Sequence, residues 1–164
     1  MARPVLAGRL VFPQRLAWEI IVKCIIVSGV PGSGKTYYAE TISGKHDPAH
    51  VGIASADSFV DYSKEVRPQL PRAHQECFLT ALALLEDKTP LVIIDNTNLS
   101  GIEIAPYYLM AEAHGYEVEV LRISCPPEVA FERQQHGVPA DIFDKMVLAF
   151  NKRDVAPWWT VYDI

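Results

Sequence analysis

The chain has 164 residues, a formal net charge of −5 and a pI of about 5.5, with 49% hydrophobic and 21% charged residues. That length suits one ordinary domain whose core needs no staples, and the acidic balance argues against a protein that coats nucleic acid, though not against a nucleic-acid substrate held briefly. Cys24, Cys77 and Cys125, with no CxxC pair, indicate neither a disulfide framework nor a zinc site. Lys23 interrupts the longest apolar run, so no bilayer span is expected, and a reducing, cytoplasmic setting is.

Residues 1–20 carry Arg3, Arg9 and Arg15 with no acid before Glu19. They lack serine and contain Pro4 and Pro13, which fits an N-terminal extension of no assigned function better than a transit peptide. A single domain is expected over 21–164. It opens with Cys24–Ser28, a continuous apolar run that predicts a buried strand. Gly29 to Thr36 follows and spells G-x-x-x-x-G-K-[ST], and Lys35–Ile42 reads as a helix. In that strand, loop and helix context, glycines such as Gly29, Gly32 and Gly34 let successive amides around Ser33 point inward. The helix then adds its positive end, giving a concave site for phosphates. Lys35 is placed to contact β and γ phosphates, and the Thr36 hydroxyl to reach a Mg²⁺ ion, which prefers sparse protein ligation beside phosphate.

Ser43–Pro48 reads as a connection, Val51–Ser55 as a short strand, and 61–71, with its charges and two prolines, as a loop. Ala73–Glu86 predicts a helix with Cys77, Ala81, Leu84 and Leu85 at helical spacing. Leu91–Ile94 predicts a central parallel strand ending in the polar run Asp95-Asn96-Thr97-Asn98. Ile104–His114, Pro127–Gln135 and Pro139–Asn151 read as helices, the last with Ile142, Met146 and Phe150 on one face and Phe143 and Val147 beside it. Glu117–Ile123 reads as a strand. Strands alternate with helices throughout, so the expected fold is α/β: a mostly parallel sheet with helices on both faces. Ligands in such sheets sit at the carboxyl ends of the strands, where Gly29–Thr36, Asp57 and Asp95 should meet.

Phosphoryl transfer needs a phosphate cradle, a metal site, a group that takes the proton of the attacking hydroxyl, and a cation for the charge spreading over the transferred group. The loop and Thr36, assisted by Asp95, supply the first two. Asp57 is the candidate base, and Arg133, with His136 nearby, the candidate cation.

These residues resemble P-loop kinases similar to bacteriophage polynucleotide 5′-hydroxyl kinase and the kinase module of the NEDD4-binding protein 2 group, within the AAA-type P-loop NTPases. The resemblance rests on Ser28–Thr36, Ser55-Ala56-Asp57-Ser58-Phe59, Ala73-His74, Val92–Asn98, and His136-Gly137-Val138-Pro139 followed by Met146 and Phe150. It implies a three-layer P-loop NTPase fold with a short helical lid, ATP and Mg²⁺ on Lys35 and Thr36, and Asp57 as general base. It further implies that Asp95 organises the site and that Arg133 lies in the lid, with a nucleic acid bearing a free hydroxyl as transient partner. His74 and Asn98 match family positions that read best as structural hydrogen bonds. Two positions depart: the family arginine three residues beyond the base is Val60 here, and 133–139 holds only one arginine. Acceptor recognition is therefore open between a DNA or RNA 5′-hydroxyl, a hydroxymethyl group on a modified base and a small metabolite; an ATP-binding module without catalysis is a further class.

Asn151-Lys152-Arg153-Asp154 matches the guanine-reading N-K-x-D of switch GTPases, which follows a strand. Pro139 and the helical spacing after it predict a helix there instead. Tyr37 and Tyr38 read as packing residues rather than a base platform. Trp158 and Trp159 fit either a substrate contact or a core seal.

Overall fold

The computed structural model describes residues 21–164, so the extension expected over 1–20 lies outside the described residues. Five strands, β1 (Lys23–Ser28), β2 (Val51–Ala54), β3 (Leu91–Asp95), β4 (Glu117–Arg122) and β5 (Thr160–Asp163), form a sheet in the order β2-β3-β1-β4-β5. All four pairings are parallel. Helices α1 (Lys35–Ser43), α2 (Leu70–Glu86), α3 (Gly101–Ala113), α4 (Pro127–Arg133) and α5 (Ala140–Asn151) complete the three layers.

The two-residue period of the strands sorts the core. Cys24, Ile26, Val92, Ile94, Val118 and Val120 face α2 and α3, while Ile25, Val27, Ile93 and Leu121 face α1 through Tyr38, Ala39 and Ile42. Because β1 and β3 are covered on both sides, they are apolar from Cys24 to Val27 and from Leu91 to Ile94, and burying each such Ile or Val contributes about 1.5–3 kcal/mol. A third cluster, Val30, Leu99, Ala130, Phe143 and Phe150, ties α4 and α5 to the carboxyl end of the sheet. Among the described residues no helix is long and apolar enough to cross a membrane.

Several boundaries differ from the sequence expectation, each for a local reason. The loop expected over 61–71 ends early: a 3-10 turn at Arg67–Gln69 runs into α2 at Leu70, with Pro71 in the first turn, where its missing N–H is no loss. Helix α3 begins at Gly101 rather than Ile104, since Glu103 reaches back to accept the Leu99 amide at 2.6 Å. On α5 the buried residues are Phe143 and Phe150, and Ile142 is exposed. Strand β5 has no counterpart among the elements that the sequence pattern predicts. It is short and mostly exposed, held by its pairing with β4 and by Arg122, whose guanidinium donates to Asp163 Oδ1 at 2.7 Å and lies over the Phe150 ring. Trp159 seals rather than contacts, stacking on Tyr108 at 4.8 Å, whereas Trp158 is exposed.

Candidate active site

Strand β1 ends at Ser28, and the chain then wraps over the sheet edge into α1. Gly29 donates its amide to Thr97 O at 2.9 Å, so the loop is anchored to the segment after β3. Gly32 has φ +78°, and a Cβ there would lie 2.0 Å from Ala130 O: the loop touches the α4 backbone at a place only glycine fits. Gly34, at φ +98°, caps α1, whose first turn holds no acid, leaving its positive end to an anion.

Inside the loop, the Ser33 hydroxyl is buried with no partner, and Lys35 Nζ turns back onto Val30 O at 2.9 Å. An orphaned buried hydroxyl and an ammonium held on a main-chain oxygen are the groups a polyphosphate would engage, so the residues present fit the nucleotide that the loop pattern implies. Thr36 Oγ1 donates to Asp95 Oδ2 at 3.0 Å. These hard oxygen donors suit Mg²⁺. Among the described residues no cluster of three or more His, Cys, Asp or Glu is found that could hold a metal ion.

Burial acts on both charged groups here. It pushes the Lys35 ammonium below its ordinary pKa against the support of Asp95 and Asp57, and lifts the Asp95 carboxyl despite Thr36 and Lys35.

Asp57 lies on a 3-10 turn, Ala56–Phe59, directly after β2, with its side chain 58% exposed. Asn96 fixes that turn: its Oδ1 accepts the Ala56 amide at 2.9 Å, and its Nδ2 faces Cys77 Sγ and the Tyr107 hydroxyl. Asn98, at φ +43°, donates to Val27 O, and its own carbonyl accepts from Ser28 Oγ at 2.7 Å, the structural hydrogen bonds expected of it. Arg133 closes α4 and is exposed, on a helix rooted against Gly32 through Ala130 and Gln134.

Other residues emerge only in three dimensions. The Tyr62 hydroxyl donates to Asp57 Oδ1 at 2.8 Å, and His136 Nε2 stands 3.5 Å from Oδ2. The two rings stack with centroids 4.9 Å apart. His74, expected to make a structural hydrogen bond, instead lines a cavity of about 330 Å³ between α2 and α3, beside Phe78, Asn96, Thr97 and Tyr107. Pro106 shapes the same cavity from inside α3, where its missing N–H leaves the Ile102 carbonyl without a helical donor. Val60 turns into the core. Tyr37 is exposed and Tyr38 packs under α1, so the packing expectation holds for one of the two. The N-K-x-D run follows a helix, since α5 extends to Asn151.

The AAA domain family matches residues 24–137, which covers β1 through α4 and four residues beyond it. The chain belongs to this family of P-loop kinases. Human NEDD4-binding protein 2 is 31% identical over 136 residues, 78% of this chain but 8% of that protein, so the chain spans only a small part of its relative's length. A chain of the Pnkp1/Rnl/Hen1 RNA repair complex superposes with a TM-score of 0.66 at 19% identity, over 80% of this chain and 45% of its own length. A sugar kinase from Janibacter sp. superposes with a TM-score of 0.61 at 18% identity, over 87% and 84%. At those identities the superpositions show the fold.

Proposed function

We propose that residues 21–164 form an ATP- and Mg²⁺-dependent kinase that transfers the γ-phosphoryl group to a hydroxyl of a nucleic acid. The observation that carries the reading is the placement of Asp57: a solvent-facing carboxylate after β2, fixed through the Ala56 amide by Asn96, on the same carboxyl edge of the sheet as Asp95 and the phosphate loop. In this reading the loop amides, Ser33 and Lys35 bind the phosphates. Thr36 and Asp95 would hold the Mg²⁺, which when bound would offset the charge of the phosphates. Asp57 takes the proton of the acceptor hydroxyl as its oxygen bonds to the γ phosphorus and the bond to the β-phosphate oxygen breaks, releasing ADP. Arg133, carried on α4, offsets charge on the transferred group. The nucleic-acid acceptor is supported by the resemblance of the motifs around Asp57 and Asp95 to those of polynucleotide 5′-hydroxyl kinases.

A second reading, a small-molecule alcohol as acceptor, is favoured by the aromatic-walled cavity beside Asn96 and by Val60, which brings no charge to meet a strand phosphate. Transfer from γ-labelled ATP to 5′-hydroxyl DNA, 5′-hydroxyl RNA, hydroxymethylated DNA and nucleosides tests both. Label in a polynucleotide is the expected result. Label in nucleosides alone selects the second reading, and label in none removes both.

A further inference from the structure

We infer that His136 and Tyr62 are positioning residues for Asp57 with opposite effects: Tyr62 orients the carboxylate, while His136 occupies the oxygen that the acceptor hydroxyl must reach. This rests on the kinase reading and extends it to how the base is held between turnovers.

The two contacts come from separate parts of the chain. Tyr62 lies in the loop that follows the Asp57 turn and donates to Oδ1 at 2.8 Å. Desolvation first, then the bond to Asp57, raises the Tyr62 pKa, so the phenol stays protonated and remains a donor. His136 lies in the segment after α4, the helix whose Ala130 and Gln134 backbone presses on Gly32 of the phosphate loop, and its Nε2 stands 3.5 Å from Oδ2. Gln134 buckles that segment into a tight loop, since its side chain both accepts the Val138 amide and donates to the Val138 carbonyl at 2.8 Å. The stacked rings hold the two contacts together across the carboxylate.

A general base needs one oxygen within hydrogen-bond reach of the proton it accepts. With Oδ1 held by Tyr62, the oxygen left is Oδ2, and the imidazole faces it. The acceptor hydroxyl therefore displaces His136, and because His136 shares its segment with the lid, that displacement is coupled to how the lid sits on the nucleotide loop. Until then the imidazole also stands where a water would have to bind to be activated against ATP. The pair thereby favours transfer over hydrolysis.

The two substitutions separate these roles. His136→Ala opens Oδ2: ATP hydrolysis without acceptor rises about tenfold and the acceptor KM falls roughly threefold, as expected when one competing contact is removed. Tyr62→Phe keeps the ring stack but frees the carboxylate: kcat for transfer falls about tenfold with little change in acceptor KM. His136→Gln, which keeps a donor near Oδ2, returns hydrolysis toward the wild-type rate. If His136→Ala leaves hydrolysis unchanged and instead raises the KM for ATP, His136 belongs to the nucleotide side and the inference is overturned while the kinase reading stands. If the wild-type chain neither transfers phosphate nor hydrolyses ATP, the kinase reading falls and takes this inference with it.

Discussion

Asp57 and Asp95 end neighbouring segments of the same sheet edge, yet their surroundings give them different work. Asp95 is 8% exposed and shares a hydrogen bond with Thr36, which suits a metal and phosphate organiser, while the open side chain of Asp57 suits proton exchange with an incoming hydroxyl. Replacing Asp57 by Asn should leave ATP binding intact, measured by calorimetry, and lower transfer about 10²–10⁴-fold, measured with labelled ATP. Asp95→Asn should act on stability as well. Burial raises the folded-state pKa of Asp95 above its unfolded value of 3.8, so the native state binds the proton more tightly and loses stability as pH rises through that window. The Asn variant lacks this loss. Without ligand its melting temperature should exceed that of the wild type by about 2 °C at pH 7, and the gain should vanish below pH 3.8, where the carboxyl is protonated in both states. Gly32→Ala should go the other way, costing about 2 kcal/mol or more in chemical denaturation, because φ is +78° and the new methyl would strike the Ala130 carbonyl.

At the scale of elements, what could be read in advance followed the strength of each local pattern. Strand β1, the loop, α1, α2 and β3 were legible because period, length and punctuation agreed: Cys24–Val27 is apolar at every position, and Gly34 and Lys35 mark where the helix starts. Strand β5 was not, because Thr160–Asp163 buries little and owes its place to partners elsewhere, the β4 ladder and the Arg122 side chain. The same distinction holds in the site. Gly29–Thr36 and Asp57 follow strands and Asp95 ends one, so they announced themselves, whereas the Tyr62 and His136 contacts depend on how two irregular segments fold toward each other, for which one sequence carries no periodic signal. The dependence of β5 on one pair is itself testable. Burial works against the Asp163 carboxylate, but hydrogen bonds from Arg153 and Arg122 hold its pKa below 3.8, so its contribution is present above that pH and is lost as pH falls through the folded value. Asp163→Asn leaves the buried Arg122 guanidinium short of its counter-charge and should cost about 1–2 kcal/mol at pH 7 by urea denaturation, with the gap to wild type closing in acid.

For the molecule as a whole, the ligand-free loop carries unfavourable terms: a buried ammonium, a buried carboxylate and an unpartnered hydroxyl at Ser33. A nucleotide that engages these groups binds the folded chain and not the unfolded one. At a hundred times its Kd, ATP with Mg²⁺ should therefore add about 2.7 kcal/mol of stability, a rise of roughly 5–10 °C in a thermal scan. Lys35→Ala should abolish most of that rise and Asp57→Asn should preserve it, which separates binding from chemistry in a single experiment. The strand order has a consequence for how the molecule comes to exist. Strand β1 is the earliest described strand, but it sits mid-sheet and pairs only with β3 and β4, with β2 placed beyond β3. During synthesis its apolar edges wait unpaired until the chain has run past α2, so the ladder closes through distant contacts, a topology associated with slow folding and with exposed strand edges on the way. The phosphate loop, anchored to Thr97 and backed by Ala130, can take its final shape only after that closure, and nucleotide binding should be the last property to return on refolding.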